Sequence, residues 1–262
     1  MTVIQIKHEI WEGIPLLICA KTNLVDEPLP TVVYLHGITG AKEDNLSIGY
    51  LLADRGFRVI LPDAEFHGER THANIDNVEL HFFEIVQKSV FELSVIYDKL
   101  NQADLIKDHS FTLAGTSMGG ITTAAALTQY QWISNAGIMM GTARLHDFSK
   151  AMIDKVIKRG VELPVTKQQL DELLANIKNY DLSLNIEQLN NRPLFIWHGE
   201  EDLVVPYQYA IEFYHQLKET QVDAKTITFV SEEKTGHKVS RRARLALTDW
   251  ITAVQQLIKQ ER

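Results

Sequence analysis

The sequence predicts an α/β fold, built as a mostly parallel sheet with helices on both faces. Three observations predict it. Short apolar, β-branched runs alternate with helical patterns along most of the chain, which is the rhythm of crossover units. The runs TVVYLHG, RVILPD, FTLAG and PLFIWHG carry too few polar residues for a sheet with one wet face, so their strands are covered on both sides. A chain of 262 residues with 45% hydrophobic and 23% charged residues is long enough to bury a sizeable core as one domain.

Residues 3–8 and 14–20 flank Gly13 and read as two strands joined by a short turn. TVVYLHG (31–37) is the first buried parallel strand. AKEDNLSIGYLLADRG follows as a helix, with Ile48, Leu51 and Leu52 on one face and Gly56 as its stop. RVILPD (58–63) is the next strand, and 64–78 reads as a loop. Phe82, Val86, Val90, Leu93, Tyr97 and Leu100 then repeat at helical spacing across 79–101. FTLAG (111–115) is a strand, 118–130 a helix and AGIMM (136–140) a strand. PLFIWHG (193–199) and AKTITFV (224–230) are two more strands, with helices at 207–218 and about 240–259. Residues 144–190 break the rhythm. Two helical patterns separated by LPVT are too much chain for a simple crossover, and read as an insertion over one end of the sheet.

The net charge is −8 and no basic block stands out, which argues against nucleic acid as a partner. Cys19 is the single cysteine, so no intramolecular disulfide forms, which fits a reducing cytoplasm. It lies in the apolar run PLLICA and reads as a small buried hydrophobe. The N-terminus lacks a secretory pattern, and no apolar run is long enough to span a bilayer. The expectation is a soluble cytoplasmic protein.

Ligands of parallel sheets bind beyond the carboxyl ends of the strands. Ser117 follows FTLAG, Asp202 follows PLFIWHG and His237 follows AKTITFV. Gly115-Thr116-Ser117-Met118-Gly119 fits G-x-S-x-G at a strand-to-helix junction, where small flanking residues let the two elements approach closely. A serine hydroxyl needs a base within hydrogen-bond reach, and the base needs an orienting carboxylate. His237 and Asp202 are the candidates. His36-Gly37-Ile38-Thr39-Gly40 can turn a backbone N–H toward the serine, and Ile38 and Met118 are the candidate oxyanion donors. Each feature also has a plain reading: a helix cap for Ser117 or Asp202, and a strand-to-helix turn for HGITG. Asp147 competes with Asp202 as the acid but lies several residues past its strand. Met139, Met140 and the aromatic residues at 195–197 read as core. His67 and His72 lack a third ligand at metal-site spacing, and neither a dinucleotide fingerprint nor a P-loop is present.

Together LHGITGAKEDN, LAGTSMGG, WHGEEDLVVP and TGH resemble, in order, the motifs of the α/β-hydrolase family across nearly the whole chain. HGITGAKEDN and YDLS (180–183) narrow the resemblance to small bacterial esterases of the YjfP/YitV type, near the dienelactone hydrolase and prolyl oligopeptidase branches. The serine nucleophile departs from the cysteine of dienelactone hydrolases and the aspartate of haloalkane dehalogenases. A propeller domain of the kind that large oligopeptidases carry is not expected.

The resemblance implies a single domain over 1–262, with 144–190 as a helical cap. It implies hydrolysis of small-molecule carboxylic esters by Ser117, His237 and Asp202, with oxyanion donors at Ile38 and Met118 and neither metal nor organic cofactor. A thioesterase or peptidase would use the same residues, and a noncatalytic ligand-binding module could sit on the same scaffold. The 144–190 segment is either a packed helix pair or a cap that walls the acyl pocket.

Overall fold

The computed structural model describes residues 2–71, 78–158, 160, 165–220 and 226–260. β1 (Ile4–Trp11) and β2 (Ile14–Lys21) form a hairpin through Glu12 and Gly13, whose φ angles of 48° and 82° give the left-handed turn that matches strand twist. β3 (Leu29–Leu35), α1 (Leu46–Asp54) and β4 (Arg58–Pro62) follow. Then come α2 (Phe82–Gln102), β5 (Ile106–Thr116), α3 (Met118–Gln129) and β6 (Asn135–Met139). The chain continues through α4 (Leu145–Lys158), α5 (Lys167–Ile177), β7 (Leu194–Gly199), α6 (Tyr207–Glu219), β8 (Ile227–Glu232) and α7 (Arg241–Gln260).

The strands form one eight-stranded sheet in the order β1-β2-β4-β3-β5-β6-β7-β8. The pairs β1–β2 and β2–β4 are antiparallel; all pairs from β4 to β8 are parallel. Strand order reverses between β3 and β5, so the loops leaving those two strands diverge and leave a crevice. The loop after β3 begins with His36 and the turn after β5 holds Ser117.

Two cores cover the sheet. Val33 and Leu35 of β3 face one core, with α2 and α3, while Val32 and Tyr34 face the other, with α1 and α7. This is the two-residue alternation of a strand, and with apolar residues on both faces the sequence hides it. Met139, Phe195 and Trp197 are buried in the second core, as is Cys19.

β5 begins at Ile106, earlier than the expected Phe111. Asp108 and His109 both take φ of 53°, and the pairing to β3 jumps from Leu29–Ile106 to Thr31–Phe111. The polar KDHS stretch is a bulge at a sheet end, which no hydrophobic pattern reveals.

The C-terminal end of α3 is clamped by Arg192. Its buried guanidinium donates to the carbonyls of Leu127 (2.7 Å) and Tyr130 (2.6 Å), groups a helix end leaves unpaired. Burial pushes this guanidinium down to about 10. In the 144–190 segment, α4 packs on α5, and Phe148 meets Phe82 and Tyr209 edge-on. Leu145, Phe148, Ile177, Leu182 and Leu189 join the first core, so the segment is anchored to the domain through apolar contacts.

Candidate active site

Ser117 sits at the β5–α3 corner with φ 56° and ψ −116°. An L-residue holds this conformation at a cost of about 1–3 kcal/mol, so the surroundings must enforce it. They do so through close backbone approach. A Cβ at Gly115 would lie 2.4 Å from the Gly119 carbonyl, and one at Gly119 would lie 2.3 Å from the Leu35 oxygen. Only glycine fits either place. Ser117 N–H donates to Met139 O, and Ser117 O accepts from Ile121 N–H, each at 2.9 Å, which ties the corner to β6 and to the first turn of α3.

The loop after β8 carries His237 to the serine. Ser117 Oγ lies 2.8 Å from His237 Nε2, and His237 Nδ1 lies 2.7 Å from Asp202 Oδ2. The Asp202 side chain is fully buried, whereas that of His237 is 20% exposed and so reachable from solvent. Asp202 Oδ1 accepts from Val204 N–H (2.9 Å) and Val205 N–H (3.1 Å). Its other oxygen also faces His198 Nε2 at 3.2 Å. Burial alone would raise this carboxyl. The hydrogen bonds from His198 and His237, the charge of His237 and the Val204 N–H outweigh it and hold Asp202 well below the usual carboxylate range. An ionised carboxylate only accepts, so Nδ1 of His237 carries the proton and the Nε2 lone pair faces the Ser117 hydroxyl.

Asp202 caps its own loop rather than a helix. α6 starts later, at Tyr207, with Pro206 in the cap position. Asp147 is engaged elsewhere, 2.7 Å from Arg144.

The loop after β3 lies directly against the serine. A Cβ at Gly37 would sit 3.4 Å from Ser117 Cβ and 4.0 Å from its Oγ. Ile38 follows, half-buried, and Met118 N–H heads α3, where no intrahelical acceptor exists. The loop is fixed from behind. Buried His36 bonds Gly37 O through Nδ1 (2.8 Å) and accepts from Ala64 N–H through Nε2 (3.0 Å). Burial keeps its imidazole below the ordinary value and therefore neutral. Lys42, also buried, meets Asp63 and Glu69, each at 2.7 Å.

His36, His198, Lys42 and Asp63 were not singled out from the sequence. Two of them had a signal: both β3 and β7 run into His-Gly, at His36-Gly37 and His198-Gly199, and each histidine braces the loop that follows its strand. His67 bonds Glu65 O and packs 5.1 Å from the His36 ring, whereas His72 lies outside the described residues. Among the described residues no helix is long and apolar enough to cross a membrane.

Residues 45–260 match the prolyl oligopeptidase family. The candidate esterase YitV of Bacillus subtilis is 38% identical over 95% of this chain and 98% of its own length. Esterase YjfP of Escherichia coli is 26% identical over 92% of this chain and 95% of its own. Among solved structures, TT1662 from Thermus thermophilus superposes with a TM-score of 0.75 at 18% identity, over 95% of this chain and 97% of its own. With its sheet order, its strand-end site and these matches in agreement, the chain belongs to the prolyl oligopeptidase family and is a hydrolase of the α/β-hydrolase fold.

Proposed function

We propose that the protein is a serine esterase that hydrolyses carboxylic esters of small molecules through an acyl-enzyme on Ser117. The observation that carries this reading is the unbroken relay from Ser117 Oγ to His237 (2.8 Å) to Asp202 (2.7 Å). The name of the Escherichia coli relative agrees with it.

In this reading Ser117 attacks the ester carbonyl while His237 Nε2 takes its proton. Negative charge on the carbonyl oxygen is met by the N–H groups of Ile38 and Met118, a role supported by the closeness of the Gly37 position to Ser117. His237 then returns the proton to the leaving alcohol, and a water activated by the same nitrogen releases the acid. Asp202 holds the ring and stabilises its charged form. No step calls for a metal or organic cofactor.

The 144–190 segment serves as the cap that walls the acyl side, and the esters are short-chain ones. The buried Cys19 thiol, pushed by burial up to about 11, is unreactive and suits a cytoplasmic enzyme.

The test is hydrolysis of 4-nitrophenyl esters from acetyl to octanoyl by wild type and Ser117→Ala. Wild-type turnover and its loss in the variant by at least about a thousandfold is the expected result. Equal turnover in both proteins overturns the assignment. If neither turns over, labelling by a serine-directed phosphonate separates a selective hydrolase from an inert scaffold. Thioester and peptide substrates run beside the esters decide between the chemistries that share this relay.

A further inference from the structure

The stretch KTGHKVSRRAR, residues 234–244, carries Lys234, Lys238, Arg241, Arg242 and Arg244 and no acid, in a chain of net charge −8. On this local scale the chain does have a basic block, and it surrounds the candidate base. Lys238 follows His237 directly. Among the described residues no carboxylate forms an ion pair with any of these five cations.

Two of them, Lys238 and Arg244, line a cavity of about 390 Å³ whose wall also holds chain neighbours of the site. Thr116 precedes Ser117, Gly37 touches Ser117, and Lys238 succeeds His237; all three are part of its wall. Arg244 lies opposite, half-buried, with one guanidinium N–H on Val239 O (3.1 Å) and its remaining donors unassigned. Asn45 lines the same space. It is 8% exposed, and its Nδ2 is a buried donor with no partner among the described residues. Asp44 is the one acid on the wall, and its Oδ2 is already taken by Ala41 N–H at 3.0 Å.

We infer that this cavity seats an anionic group of the ester substrate, a carboxylate or a phosphate, between Lys238 and Arg244. The inference rests on the esterase reading and narrows it: the substrate is a charged ester. A point cation and a cation with fork geometry on one wall are the donor pair that a carboxylate or phosphate suits. With Gly37 on its wall, the cavity lies close enough for the anion and the scissile carbonyl to belong to one small molecule.

The experiment compares charged and neutral partners of the same size. 4-Nitrophenyl adipate monoester against 4-nitrophenyl hexanoate places the anion on the acyl side. 4-Acetoxybenzoate against its methyl ester places it on the alcohol side. The wild type should favour the charged member of one pair by about tenfold in kcat/KM. Lys238→Gln and Arg244→Gln should each cut that preference several-fold, and Arg244→Lys should restore part of it. A preference for the neutral member in both pairs, or a preference for the anion that survives the double Lys238→Gln/Arg244→Gln variant, overturns the inference.

A second readout does not depend on turnover. Inorganic phosphate and propionate are titrated by calorimetry into Ser117→Ala and into the same protein lacking both cations. Saturable binding lost with the cations upholds the site and tells phosphate from carboxylate; no binding of either overturns it. If no ester is hydrolysed by the wild type, the esterase reading fails while this titration still decides the anion site.

Discussion

Gly119→Ala tests the geometry of the serine corner most directly. A Cβ at residue 119 would lie 2.3 Å from Leu35 O, 2.6 Å from Leu35 C and 2.7 Å from His36 O, all below the 3.0 Å that real Cβ atoms keep. Each obstacle is main chain at the end of β3, so no side chain can swing aside. α3 and β3 must separate by nearly 1 Å, and their junctions carry Met118 N–H and Ile38 N–H. Overpacking of this kind costs about 1–3 kcal/mol of stability. Displacing the donors from the serine by about 1 Å costs on the order of 100-fold in kcat. Urea unfolding and steady-state hydrolysis of a 4-nitrophenyl ester measure the two effects. Gly236→Ala is the stability control, since its nearest neighbour, Glu201 O, is 3.7 Å away and its φ is ordinary. A Gly119→Ala protein with unchanged urea midpoint and kcat within twofold of wild type would refute the reasoning that close approach, rather than chance, puts glycine there.

Other consequences follow from the buried charges. Lys42→Met leaves the fully buried Asp63 without its cation, and should lower stability by about 3–5 kcal/mol in urea melts. Asp63 and Asp202 both have folded-state carboxyls held below the unfolded value. Their contribution is complete above the ordinary carboxylate range near pH ~4 and is lost as pH falls through the lower folded values. Urea midpoints should therefore decline on the acid side and not change through these groups between pH 6 and 8. His198→Ala removes the Nε2 donor that Val205 O (2.8 Å) and Asp202 (3.2 Å) share. A hydrogen bond to a charged group contributes about 1.5–3 kcal/mol, so kcat should fall roughly tenfold or more with KM little changed, and His198→Gln, which keeps a donor, should recover part of it. An unchanged kcat in His198→Ala would show that His237 and the Val204 and Val205 N–H groups suffice to hold the carboxylate.

Most of the sheet was legible because buried parallel strands are short apolar runs and the crossovers between them are amphipathic. Strand ends were less so. β5 extends backward past Ser110 to Ile106, which pairs with Leu29, across a bulge at Asp108 and His109 that buries no apolar face. The positions of Ser117, Asp202 and His237 at strand ends were legible as a set, since chemistry of this kind needs those three residue types in reach of one another. The residues that brace them were not. Lys42 and Asp63 are charged and read as surface, yet they are buried against each other across the β3 and β4 loops. Their partnership depends on strand order, in which β4 lies beside β3, and no local pattern encodes it. The basic run 234–244 was hidden by an average: a net charge of −8 over the chain says nothing about how charge is distributed near one histidine.

The buried carboxylate shows why so many hydrogen bonds converge on a group that never touches substrate. Asp202 must remain ionised inside a dry loop, or the proton on His237 moves to the wrong nitrogen. One histidine would supply a single charge-assisted bond, and in the proposed mechanism that same ring becomes an imidazolium. Val204 N–H, Val205 N–H and His198 are constant throughout, so the carboxylate is already stabilised before His237 accepts a proton. Fixed donors of this kind require no reorganisation at the moment charge develops. The H-G-x-x-D spacing at the end of β7 accomplishes this in five residues: His198 and Gly199 close the strand, Gly199 allows the tight approach to Thr235 O, and the turn brings Asp202 back over the histidine. The same glycine contact draws the 235–237 loop against β7, and so the spacing that secures the acid also positions the base.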